Sequence, residues 1–115
     1  MSNIFNVEEV EDPRGLVVRV SGFMDLTSAD KFSQHLAAVM HKRPPLVVFD
    51  LSKAPYISSP CIGALVNFRN NLQQTGGDTR VAAAHPTLAE TFRRVGLHQV
   101  FPMFDTTEQA LNAKA

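Results

Sequence analysis

Apolar and polar positions change period several times along these 115 residues, and each change marks an expected element. Ile4, Phe5, Val7 and Val10 are interleaved with Asn and Glu, the pattern of a short edge strand exposed on one side. Asp12-Pro13-Arg14-Gly15 follows; proline sets φ and glycine permits a positive one, so the chain is expected to double back as a hairpin. Leu16, Val18 and Val20 alternate with Val17, Arg19 and Ser21, a second strand with a better-buried face that Gly22 ends. Phe32, Leu36, Val39 and Met40 then form an apolar stripe over 28–41, until Arg43-Pro44-Pro45 stops the helix.

Leu46-Val47-Val48-Phe49 is a continuous apolar run, as expected of a strand covered on both faces. Beyond it the period lengthens: Ile62, Leu65, Val66, Phe68 and Leu72 recur at helical spacing, predicting a helix over 60–74. Ser58 or Ser59 can cap that helix, and Pro60 suits its first turn, where a missing N–H costs nothing. Residues 73–78 read as a helix end and a turn, and 80–84 as a short strand rich in small residues. Thr87 is the expected cap of a helix over 87–95 with Leu88, Phe92 and Val95 facing inward, closed by Gly96. Val100, Phe101, Met103 and Phe104 make a last apolar segment, and Asp105-Thr106-Thr107-Glu108 opens a helix over 106–113 anchored by Ala110 and Leu111. Strands alternate with helices from Leu16 onward, and parallel strands need such crossovers, so the expected class is α/β with an antiparallel edge.

Composition narrows the function classes. A 44% hydrophobic and 19% charged chain of this length suits one core, so residues 1–115 are expected to form one domain. Lys plus Arg equals Asp plus Glu at 11 each, which leaves no basic surplus for a nucleic-acid backbone. Cys61 stands alone and cannot form an internal disulfide, and no basic stretch leading into an apolar one opens the chain; a cytoplasmic location is the expectation. No apolar run approaches the roughly 20 residues that span a bilayer, so no direct membrane insertion is expected.

His35, His41, His85 and His98 are scattered without the i, i+4 spacing of paired ligands, and no metal site is expected. Ser58-Ser59-Pro60-Cys61 is not a nucleophile elbow, and no base accompanies Ser59, so neither an enzyme nor a cofactor is expected. Gly76-Gly77 follows a helix rather than opening one and reads as a turn, not a phosphate cradle. Cys61 reads as a packing residue.

The junction between the apolar strand and the 60–74 helix carries the candidate chemistry. A strand end feeding a helix start places unpaired N–H groups around one or two hydroxyls, a setting that suits a phosphate; the plainer reading is that the serines only cap the helix. Asp50 to Leu65 resembles the signature of the STAS domain family of bacterial anti-sigma factor antagonists, Asp-Leu-Ser-x-Val-x-Phe-Ile-Asp-Ser-Ser-Gly-Leu-Gly-Ala-Leu, without a gap. Asp50, Leu51, Ser52, Ile57, Ser59, Gly63, Ala64 and Leu65 match, while Tyr56 and Ile62 are conservative replacements. Ser58 replaces an Asp, Pro60 a small residue and Cys61 a Gly. Gly22-Phe23-Met24-Asp25 is similar to the family's Gly-Glu-Leu-Asp, with Phe23 in the acidic position, and Gly76-Gly77, 87–95 and Gly96-Leu97 follow later landmarks.

The resemblance implies a STAS-like fold, a four- or five-stranded mixed sheet with about four helices. It implies a partner-switching protein that binds an anti-sigma factor doubling as a serine kinase, is switched off by phosphorylation and is restored by a serine phosphatase. Ser59 falls on the family's phosphoacceptor, with Ser58 second, and the resemblance places Asp25, Ser58, Ser59, Pro60 and Cys61 on the partner-binding surface. Asp25 and Thr27 read equally well as the opening of the next helix. The alternative function is a non-phosphorylated STAS adaptor or scaffold in a larger signalling or transport complex, favoured by Ser58 and by the stiffness of Pro60.

Overall fold

A computed structural model describes residues 4–114. In chain order the elements are β1 (Asn6–Asp12), β2 (Gly15–Ser21), a 3-10 turn (Leu26–Ser28), α1 (Ala29–His41), β3 (Leu46–Lys53) and α2 (Ser59–Gln74). There follow β4 (Asp78–Ala82), α3 (Pro86–Arg94), a second 3-10 turn (Leu97–Gln99), β5 (Met103–Phe104) and α4 (Thr107–Asn112). The strands form one sheet in the order β1-β2-β3-β4-β5. β1 and β2 are an antiparallel hairpin, and every later pairing is parallel, so the expected mixed five-stranded sheet with four helices is what forms.

β3 lies at the centre because helices cover both of its faces. On one side Val18, Val20, Val47, Phe49, Leu51 and Val81 pack against Phe32, Leu36 and Val39 of α1 and Cys61, Leu65, Phe68 and Leu72 of α2. Phe49 and Phe68 meet edge to face with ring centres 5.7 Å apart, a geometry worth about 0.5–1.5 kcal/mol beyond burial. On the other side Val17, Leu46, Val48 and Ala82 lie under Ala110 and Leu111 of α4. Two arginines hold α4 down. Arg14, in the β1–β2 turn, bonds Asp12 (Nε to Oδ1, 2.8 Å), Glu108 and Asn112 (Nη1 to Oδ1, 2.7 Å). Arg80, buried in β4, donates Nη1 to the Ala110 carbonyl at 2.5 Å.

Several expectations are corrected. Val17, which strand alternation puts on the polar side, is buried because α4 covers it. His85, not Thr87, caps α3: Pro86 takes the first helical position, which makes the preceding residue the cap, and His85 Nδ1 accepts the Thr87 N–H at 3.2 Å. Val95 does not face inward; α3 ends at Arg94, and Val95 is 55% exposed. His35 of α1 is half-buried, with β1 bringing Glu9 to 2.7 Å from its Nε2, so it does not lie on the solvated helix face that its place outside the apolar stripe suggests. β1 begins two residues later than the apolar pattern suggests, and β4 occupies Asp78–Ala82 rather than 80–84.

Candidate functional site

The site is built where the carboxyl ends of β2 and β3 run out side by side. Gly22, at φ 85°, turns the chain out of β2 and donates its N–H to the Lys53 carbonyl at 2.9 Å. The two loops then zip together: Met24 N–H donates to Tyr56 O at 3.1 Å, Ser58 N–H to Met24 O at 2.7 Å, and Met24 pairs with Ile57 in a parallel bridge. Buried Met24, Ala54 and Ile57 seal the junction from below. Segments about 30 residues apart in sequence thus become one rigid edge, and α2 starts from it.

Asp25 opens the Leu26–Ser28 turn. Its Oδ1 accepts the Thr27 and Ser28 N–H groups at 3.0 and 3.1 Å and the hydroxyls of Thr27 and Ser28 at 2.7 and 2.9 Å. The Thr27 hydroxyl, then that of Ser28, holds the carboxyl below the ordinary carboxylate range. Asp25 therefore opens the next helical element, as one of its two sequence readings has it, and it lies next to the serine loop. The link to α2 is direct: the Cys61 thiol donates to the Asp25 carbonyl at 3.6 Å.

Ser58 and Ser59 are adjacent yet occupy different environments. Ser58 is the N-cap of α2 by its extended backbone (φ −82°, ψ 161°), but its hydroxyl makes no capping bond. It is only 4% exposed and has no hydrogen-bond partner. Cys61 is wholly buried, and burial pushes its thiol up; the Ser58 hydroxyl pulls the other way by less and not at hydrogen-bonding geometry. Ser59, the first residue of α2, is exposed, as is Pro60 after it. The Ile62 N–H donates to Ser58 O at 2.9 Å and Pro60 has no N–H, so the first-turn donors left over are the amides of Ser59 and Cys61. That arrangement favours negative charge beside Ser59.

Three further residues, which sequence reasoning did not single out as contacts, expose apolar surface on the two loops that meet here. Phe23 and Tyr56 are 38% and 52% exposed and meet edge to face at 6.4 Å, and Leu26 is 72% exposed. The available signal was Phe23 itself, an aromatic residue in a loop position that the related motif gives to an acid. Among the described residues no histidine or carboxylate is hydrogen-bonded to Ser59, and they contain no group of three potential metal ligands. No helix among them is long and apolar enough to cross a membrane. The arrangement leaves Ser59 exposed at a helix start and Phe23, Tyr56 and Leu26 exposed on the adjoining loops.

Comparison with known proteins agrees with this geometry. The family model for the STAS domain matches residues 5–110. BtrV of Bordetella bronchiseptica, named as a candidate anti-sigma factor antagonist, is 28% identical over 98 residues, covering 85% of this chain and 84% of that protein. The crystal structure of an anti-sigma factor antagonist from Mycobacterium paratuberculosis superposes with a TM-score of 0.86 at 27% identity, over 96% of this chain and 94% of the other. The Bacillus cell-fate determinant SpoIIAA in its phosphorylated form shares the fold, with a TM-score of 0.70 at 18% identity over 95% and 97% of the two chains.

Proposed function

The chain belongs to the STAS domain family, and from that premise we propose that it is a cytoplasmic anti-sigma factor antagonist, a binding module without catalytic groups of its own. Its partners are an anti-sigma factor that is also a serine kinase, which supplies ATP and Mg²⁺, and a serine phosphatase. The observation that carries the reading is Ser59: an exposed residue at the start of α2, in the register of the family's phosphoserine, at the junction of two loops that expose Phe23, Tyr56 and Leu26. Asp25, Ser59 and Pro60 lie at the docking surface, while Ser58 and Cys61 support it from beneath. A phosphate on Ser59 adds close to two negative charges. The helix start accommodates that charge, so the fold survives; a docking surface that must shed its water does not accommodate it, so binding is lost.

The test is to incubate the protein with ATP and the serine kinase encoded nearest its gene, to locate phosphate by mass spectrometry, and to measure binding of variants. Ser59→Asp keeps its Tm and loses the kinase; Ser59→Ala keeps both and can no longer be switched off. A second reading, the adaptor that is never phosphorylated, is favoured by Ser58, whose buried neutral hydroxyl replaces the family's acidic neighbour. It prevails if neither serine takes phosphate and Ser59→Asp binds its partner like the parent.

A further inference from the structure

The exposed large apolar side chains among the described residues are Ile4, Val10, Phe23, Leu26, Tyr56 and Val95. Single ones scattered over a surface are ordinary, but Phe23, Leu26 and Tyr56 share one place, the junction of the loops that leave β2 and β3. Backbone bonds fix that junction. The bonds from Met24 to Tyr56 and from Ser58 to Met24 lock the loops side by side, and the Ser28 hydroxyl donates to the Phe23 carbonyl at 3.0 Å, tying the turn that carries Leu26 back to Phe23. The rings of Phe23 and Tyr56 stand at 73° to each other across it, and no hydrogen bond reaches the Tyr56 hydroxyl among the described residues.

Position, order and charge together say what covers these side chains. Tyr56 is three residues from Ser59, so their Cα atoms are at most roughly 11 Å apart. A partner of standard footprint, about 800 Å² per side, reaches roughly 16 Å from its centre, and one that docks over Ser59 therefore covers this junction as well. The backbone bonds and the ring pair hold the side chains in place before any contact, so docking costs little further ordering, and aromatic residues fixed in this way supply most of the energy in many interfaces. Residues 22–28 and 53–59 carry only Asp25 and Lys53 as charges, and Asp25 Oδ1 is taken up by Thr27 and Ser28. That balance offers no cationic surplus to a lipid surface, and it leaves apolar area as what the loops present.

Resting on the proposed function, we infer that Phe23, Leu26 and Tyr56 determine which anti-sigma partner is accepted, and that their counterpart on it is an apolar recess with a hydrogen-bonding group at its edge for the Tyr56 hydroxyl. Phe23 decides the selection. An acid at that position, as in the related motif, calls for a cation opposite it, whereas a ring calls for apolar surface and would leave such a cation buried and unpaired. This chain thereby accepts a partner with the recess and rejects one built for an acid. Contact made through apolar area responds weakly to salt, since screening acts on charges.

The test measures Tm, mass by light scattering and affinity for the purified serine kinase encoded nearest the gene, using full-length parent, Phe23→Ala, Phe23→Glu, Leu26→Ala, Tyr56→Phe and Ser59→Asp. Val10→Ala and Val95→Ala are the controls, exposed apolar residues away from the two loops. Phe23→Ala and Leu26→Ala are expected to bind about tenfold more weakly or worse, Phe23→Glu more weakly than Phe23→Ala, and Tyr56→Phe several-fold more weakly, while the controls stay within about twofold. Leu26 is the most exposed of the three, so its variant keeps the parent's Tm and reports on binding alone. Raising salt from about 0.05 to 0.5 M should change the parent's affinity less than about threefold, and a steeper fall would show a charged contact and overturn the inference. If Phe23→Ala and Leu26→Ala bind like the parent while Ser59→Asp does not, or if Phe23→Glu binds like the parent, the inference is overturned with the serine reading intact. A parent that is dimeric alone and made monomeric by Phe23→Ala would assign the junction to a second copy of the chain and overturn it as well. If the parent neither binds the kinase nor takes phosphate, the proposed function fails and the inference with it.

Discussion

Replacing Ser58 by alanine should stabilise the protein, contrary to the usual effect of removing a helix N-cap. A serine cap is worth about 0.5–2 kcal/mol when its hydroxyl accepts a first-turn N–H. Here the hydroxyl makes no such bond and is 4% exposed without any partner, so it contributes the cost of a buried unsatisfied group, about 1–3 kcal/mol. Losing one oxygen from a packed site returns a few tenths of that as lost contact. A net gain of about 1 kcal/mol is expected, or about 4 °C in Tm for a chain of this size. Ser59→Ala, at an exposed position, should stay within about 0.5 kcal/mol of the parent. Urea unfolding followed by far-UV circular dichroism measures both, since the chain has no tryptophan, with an unchanged m-value as the check that only stability moved. A Ser58→Ala variant less stable by 1 kcal/mol or more would show that the hydroxyl is partnered in solution, and the reasoning would be refuted.

Ala83, at φ 54°, should also improve on substitution: Ala83→Gly relieves about 1–2 kcal/mol of left-handed strain against roughly 0.5–1 kcal/mol of added chain entropy, and a urea midpoint at or below the parent's refutes this. Acid should loosen α4 first. Bonds from Arg14 hold Asp12 at a pKa of about 2 and hold Glu108 below its usual range; unfolded-chain values are near 3.9 and 4.3, so the clamp is fully present above those and is lost as pH falls toward 2. Amide signals of Thr107–Asn112 should therefore shift on acidification before those of β3, and simultaneous loss would contradict the order. Cys61, buried and with its thiol pushed up by burial, should be alkylated by iodoacetamide only as fast as the protein unfolds, and rapid labelling of the native protein would point to a reactive thiol.

What the sequence by itself determined is whatever depends on neighbours along the chain. The apolar run 46–49 names β3 as the buried strand, the lengthened period after it names α2, and the ungapped Asp50–Leu65 resemblance names the family, because period and motif are written in consecutive residues. Only the tertiary structure decided the environments. Ser58 and Ser59 look equivalent in sequence, but rotation about the α2 axis turns one hydroxyl into the loop junction and the other to the surface. Val17 is buried because Arg14 and Arg80 bring α4 across the sheet from some 30 to 95 residues away. Phe23 and Tyr56 become neighbours only once β2 and β3 pair in parallel and carry their loops to one side. Burial and contact across such separations depend on strand pairing and helix packing, and no local period records them.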